Sequence, residues 1–231
     1  MVIAPISASN LIQTVRSGFE KIPDQRASNA KISLADALLS GFAMFSLKDS
    51  SLLEFDQRRA KDDNLKRIYG LKIIPCDTHM RTILDPVSPD DLKPLFKDIV
   101  GQVRQAGFLT QLKFRGHYLV SLDGTGYFSS ATIHCASCLE KKSSKTGEVS
   151  YAHQALVGAI VHPDFKEVLP LAPEAIVKQD GATKNDCERN AAKRFLAQLR
   201  QDYPEWAFII TEDGLSANAP CISTTYATSW G

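Results

Sequence analysis

Residues 118–124 read YLVSLDG, and residues 207–214 read AFIITEDG. Each is a short apolar run that closes on Asp-Gly. Such a run, bounded by a turn pair, predicts a buried strand. Asp-Gly is a common turn pair, so each strand is expected to end in a turn, at Asp123-Gly124 and at Asp213-Gly214. If the two strands are neighbours, two carboxylates emerge at one end of a sheet.

Further elements follow outward from these two. Residues 131–139 and 150–161 predict strands joined by the polar turn KKSSKTGE, and residues 166–171 predict a shorter one. His162-Pro163-Asp164 reads as a turn. Residues 185–203 predict a helix with Ala191, Ala192, Phe195, Leu196 and Leu199 inward. Three strands, a helix and a strand make an α/β order. Upstream the pattern is helical. Ser33 caps a helix whose Leu34, Ala37, Leu38, Gly41, Phe42 and Phe45 form one stripe. Residues 54–69, a segment opened by Asp77-Thr78 and ended by Pro86 and Pro89, and residues 90–107 predict three more helices. No internal repeat or low-complexity tract interrupts the chain.

The 231 residues are 44% apolar, enough for one large domain or two small ones. With 27 Lys and Arg against 26 Asp and Glu, the net charge is +1. That excludes a strongly basic tail and an acidic disordered chain, but not a DNA enzyme with a local basic surface. Five scattered cysteines, Cys76, Cys135, Cys138, Cys187 and Cys221, predict free thiols in a reducing compartment. The first residues show no signal peptide, and no apolar run is long enough to cross a bilayer. A cytoplasmic protein is expected.

Two carboxylates in one cleft repel and call for a cation; oxygen donors suit Mg²⁺ or Mn²⁺. Such a site can hold two ions about 3.5–4 Å apart and support in-line displacement at phosphorus. His134, Cys135 and Cys138 offer zinc-type donors, but a structural zinc site needs four, and no second pair stands at suitable spacing. They read as strand core. A thiol nucleophile with His153 has no residue marked to orient it. Arg58, Arg59, Lys61, Lys66, Arg67 and Lys72 cluster before the core, diluted by Asp56, Asp62 and Asp63. Arg189, Lys193 and Arg200 share an outward stripe of the 185–203 helix. Both sets are candidate phosphate contacts, with a solvated face as the alternative.

YLVSLDGTGYFSS, VSYAHQALVGAIVHPD, VLPLAPE, QDGATKNDCERNAAKRFL and FIITEDGLSANAP together resemble bacterial insertion-sequence transposases of the DDE type, over residues 65–220. KRIYGLKIIPCDTHMRTILDPV resembles the helical segment that precedes their catalytic core. The resemblance implies a ribonuclease H-like fold, with the first Asp ending the first strand and the second Asp ending the fourth. Those roles fall on Asp123 and Asp213, as catalytic and metal-binding residues for Mg²⁺ or Mn²⁺. The family's third carboxylate is a Glu in a Tyr-x₂-Arg-x₃-Glu-x₆-Lys helix. No such helix follows here, and Glu174, Glu188 and Glu212 do not fit the pattern. CISTTYATSWG, after Pro220, reads as an out-of-frame tail.

The expected architecture is α/β, an N-terminal helical region followed by an incomplete ribonuclease H-like mixed sheet with flanking helices. The expected boundaries are 1–112 for the helical, DNA-binding region, 113–220 for the partial core and 221–231 for the tail. The implied activity is metal-dependent hydrolysis and strand transfer at DNA phosphodiesters of insertion-sequence ends, with self-association and no membrane. The chain is expected to bind Mg²⁺ or Mn²⁺ weakly and to be a truncated, inactive remnant. The alternative is a catalytically silent DNA-binding or partner-binding regulator.

Overall fold

The computed structural model describes residues 6–178 and 187–212. The chain divides into two compact units, Met1–Phe108 and Leu109–Gly231.

The first unit is helical. It contains α1 (Ala8–Phe19), α2 (Leu34–Ser46), α3 (Leu52–Arg59), α4 (Asn64–Tyr69), α5 (Asp77–Leu84) and α6 (Lys93–Gln105). Serine caps set the starts. Ser7, Ser33 and Ser51 each accept a hydrogen bond from the backbone N–H three residues on, satisfying a donor that the first turn leaves unpaired. The expected single helix over 54–69 is instead two, α3 and α4. The break falls at the Lys61-Asp62-Asp63 stretch, where Asp62 Oδ1 accepts the Asn64 N–H and starts α4. Gly70 ends α4 in the left-handed region, φ +67°. Leu39, Ala43, Phe55, Leu65, Met80 and Ile83 form the centre of this unit's core. The buried Asp36 carboxylate is paired with Arg16, whose guanidinium also donates to Gly70 O at 2.8 Å.

The second unit is built on a mixed sheet. Its strands are β1 (Lys113–Phe114), β2 (His117–Ser130), β3 (Leu139–Lys142), β4 (Val149–His162), β5 (Phe165–Pro170), β6 (Glu174–Ile176) and β7 (Phe208–Thr211), with α7 (Glu188–Asp202) before β7. β2 and β4 are the long antiparallel centre. β3, β5 and β6 pair antiparallel with β4, and β7 pairs parallel with β2. Gly147, at φ +73°, closes the β3–β4 turn, where Ser143 N donates to Glu148 O at 2.8 Å.

Helix α7 covers one sheet face. Ala191, Ala192, Phe195, Leu196 and Leu199 are buried, and the Phe195 ring lies over Gly158 of β4. Gly158 is required by that close approach. A Cβ there would stand 2.9 Å from both Phe195 Cε2 and Leu122 Cδ2. Arg194 donates to Glu174 and to Ala175 O, fixing the helix to β6. Among the described residues, no helix is long and apolar enough to cross a membrane.

Two sequence expectations are corrected here. The strand does not end at Asp123-Gly124. It runs on to Ser130, because β4 continues to satisfy its backbone as far as the Ser130–Tyr151 pair. Residues 131–138 are not a strand. They form a connection, exposed as far as Ser137 and buried at Cys138, that leaves β2 and reaches β3 on the far side of β4.

Candidate functional sites

Asp123 lies mid-strand in β2, opposite Val157 of β4, and is exposed. Strand alternation sets its direction. Leu122 and Gly158 meet the Phe195 ring, and Gly124 meets the Glu188 carboxylate, so these residues face α7. Asp123 therefore projects from the opposite face, which it shares with the part-exposed Val157. Ser121 and its β7 partner Thr211 belong to that face too. A Cβ built at Gly124 would fall on the Glu188 carboxyl group; glycine there leaves room for the acid. Glu188 sits in the first turn of α7, where the helix dipole favours a negative charge. It does not join Asp123, since the sheet lies between them.

Each β7 residue lies opposite the β2 residue ninety positions before it, from Tyr118↔Phe208 to Ser121↔Thr211. Asp213 and residues 221–231 lie outside the described residues.

A second cluster forms where β2, β4 and the 131–138 connection meet. Cys135 Sγ and Cys138 Sγ are 3.8 Å apart. His153 Nε2 is 3.4 Å from the first and 3.3 Å from the second. Among the described residues this is the only group of three or more His, Cys, Asp or Glu placed to hold a metal. Its assembly follows from strand register. Leu139 pairs with Ala152, so Cys138, one residue earlier, meets the level of His153. A turn, with Cys138 N donating to Cys135 O at 3.2 Å, folds Cys135 back beside it. Cys135 N donates to Cys138 Sγ at 3.3 Å.

Aromatic rings hold the imidazole. Tyr127 stacks on His153 at 5.8 Å, and Phe128, its ladder partner, lies 5.6 Å away. Burial, and then the neighbouring Cys135 and Cys138 thiols, push the Tyr127 phenol above its ordinary range. Cys138 is 1% exposed, whereas Cys135 is open to solvent. His134 stands apart, stacked on Tyr151 at 4.3 Å, with Nδ1 at 3.1 Å from Thr132 O.

The strand-core expectation for His134, Cys135 and Cys138 is therefore corrected. Cys135 and Cys138 belong to a loop-borne donor cluster, because a Cys-x₂-Cys turn brings side chains together that a strand would send to opposite faces.

The basic residues divide by environment. Arg58 makes a bidentate contact with the buried Asp49 carboxylate, and Arg59 pairs with Asp56. Lys66 and Arg67 on α4 are exposed, as are Arg189 and Lys193 on α7. Arg200 is half-buried, donates to Pro204 O and Trp206 O, and lies over the Phe208 ring. It closes the α7–β7 connection rather than extending the exposed stripe.

Compared with known proteins, the chain matches no family model, no curated protein and no solved structure at significant similarity.

Proposed function

We propose that the second unit is a ribonuclease H-like core of the transposase type, acting on DNA phosphodiesters with Mg²⁺ or Mn²⁺, and that Asp123 and Asp213 are its metal carboxylates. The β2–β7 ladder carries this reading. Its ninety-residue offset equals the separation of the two acids, and Asp213 stands two positions beyond the last laddered pair. The order of connections supports it as well. Helix α7 leads into β7, which returns parallel to β2, although β7 is the sixth strand counted from β2 where the resemblance implies the fourth.

The donor chemistry fits in part. Asp123 is an exposed hard oxygen donor on the sheet face opposite α7. A divalent ion held by Asp123 would supply Lewis-acid polarisation of a phosphate oxygen. The chain's own part is to present Asp123 on the face of β2 opposite α7. Arg189 and Lys193 are candidate backbone contacts, since phosphate contacts set register on a duplex.

The test is nicking of linear duplex DNA by the full chain with Mn²⁺, set against Asp123→Asn and Asp213→Asn. Metal-dependent nicking lost in both variants supports the proposal. DNA bound equally with and without divalent metal, and never nicked, favours a catalytically silent DNA-binding protein.

A further inference from the structure

We propose that Cys135, Cys138 and His153 bind a zinc ion that pins the 131–138 connection onto β4, with water as the fourth ligand. This site is separate from the carboxylates considered above and does not depend on them.

The argument begins with the shape of the triangle. An ion about 2.3 Å from each sulfur and about 2.0 Å from nitrogen, in tetrahedral array, gives edges of about 3.8 Å for S···S and about 3.5 Å for S···N. The observed edges are 3.8, 3.4 and 3.3 Å. A disulfide would instead require the sulfurs to stand about 2.05 Å apart. Three donors thus already occupy one face of a zinc tetrahedron.

Donor type selects the metal. Two thiolates and an imidazole suit zinc and discriminate against Mg²⁺ and Mn²⁺, which prefer oxygen. Binding releases the Cys135 and Cys138 thiol protons to solvent as two Zn–S bonds form, and the ion remains divalent. Cys135 N–H, bonded to Cys138 Sγ, stabilises the thiolate charge. The stacked Tyr127 ring fixes the imidazole plane.

The location gives the ion a structural task. The connection must travel from β2 to β3 past β4, and residues 131–137 are all exposed, Ile133 at 69%. Such a segment buries too little apolar surface to fix its own path. Two ligands come from this segment and the third from the strand beneath it. The ion supplies the cross-link that packing does not. His134 is adjacent in sequence, but its ring is committed to Tyr151. Cys135 faces solvent, which leaves the fourth position to water.

The experiment uses the full chain, produced with zinc and purified without chelator. Elemental analysis should find about one zinc ion per chain, the stoichiometry of a single mononuclear site. Cys138→Ser and His153→Ala should lose most of it; Cys187→Ser and His134→Ala should keep it. Cobalt substitution should give a thiolate charge-transfer band and the intense visible bands of a tetrahedral ion. Should the variants fail to fold, the wild-type chain still decides the matter. Zinc should shield Cys135, but not the likewise exposed Cys187, from alkylation, and a chelator should open Cys135 to the reagent. Zinc-free wild-type protein, an octahedral cobalt spectrum or a Cys135–Cys138 disulfide in the intact mass would overturn the proposal. Zinc lost in His134→Ala would overturn the water-completed site.

Discussion

Replacing Gly158 by alanine tests how α7 is seated on the sheet. The added Cβ would stand 2.9 Å from Phe195 Cε2 and from Leu122 Cδ2, and closer still to the tip of the Phe195 ring. Phe195 is 4% and Leu122 6% exposed, so neither can swing into solvent. Overpacking of this kind costs about 1–3 kcal/mol. Alanine also restricts the unfolded chain, which offsets about 0.4–1 kcal/mol. The net loss should be roughly 1–2 kcal/mol. Shortening the ring in Phe195→Leu should cost roughly 1–2 kcal/mol alone by leaving a cavity, but it vacates the space that the new methyl needs. The double variant should therefore be more stable than the sum of the singles by about 1 kcal/mol. Trp206 packs on Tyr118 within this unit, so urea unfolding followed by tryptophan fluorescence reads it. Losses that add to within about 0.3 kcal/mol would refute the contact between Phe195 and Gly158.

In the first unit, Arg16→Ala should cost about 3 kcal/mol in urea unfolding followed by helical circular dichroism, because it strands the buried Asp36 carboxylate. Asp36→Asn, which leaves Arg16 still paired with Glu20 and bonded to Gly70 O, should cost less. Burial, and then Asp202, raise the Tyr203 phenol above its ordinary range. The folded state therefore holds this proton more tightly. Its contribution is complete below about pH 10 and is lost as the pH rises from there towards the folded-state value. Tyr203→Phe should reduce that alkaline loss, and tyrosinate absorbance should show one late-titrating group absent from the variant. Zinc removal by a chelator should open residues 131–138 to limited proteolysis and leave the β4 centre intact; unchanged cleavage would count against the clamp.

Much of the second unit was legible because its strands and α7 carry strong local signals. The inward stripe Ala191, Ala192, Phe195, Leu196 and Leu199 is buried as its spacing predicts. The apolar runs at 118–122 and 208–211 are neighbouring strands. The Asp123-Gly124 pair does not mark a strand end, because an Asp-Gly pair does not reveal whether a partner strand continues alongside it. Here β4 does, and Gly124 serves to admit Glu188. The Cys135–Cys138–His153 cluster was hidden for a related reason. Cys-x₂-Cys was visible, but its third member lies fifteen residues after Cys138, across a hairpin. The signal was the turn itself. Closing KKSSKTGE so that Lys142 meets Val149 brings the levels of Cys138 and His153 together. The split between α3 and α4 arises from local Asp62 capping, which charge patterning alone did not separate from a longer helix.

The proposed hard-metal site rests on Asp123. Paramagnetic broadening of backbone amides by Mn²⁺, in the zinc-loaded full chain, locates that ion without requiring activity. Weak binding should broaden Ser121–Gly124 of β2 and Ile210–Thr211 of β7, and should disappear in Asp123→Asn. Broadening that survives Asp123→Asn, or that centres away from β2 and β7, would contradict that site.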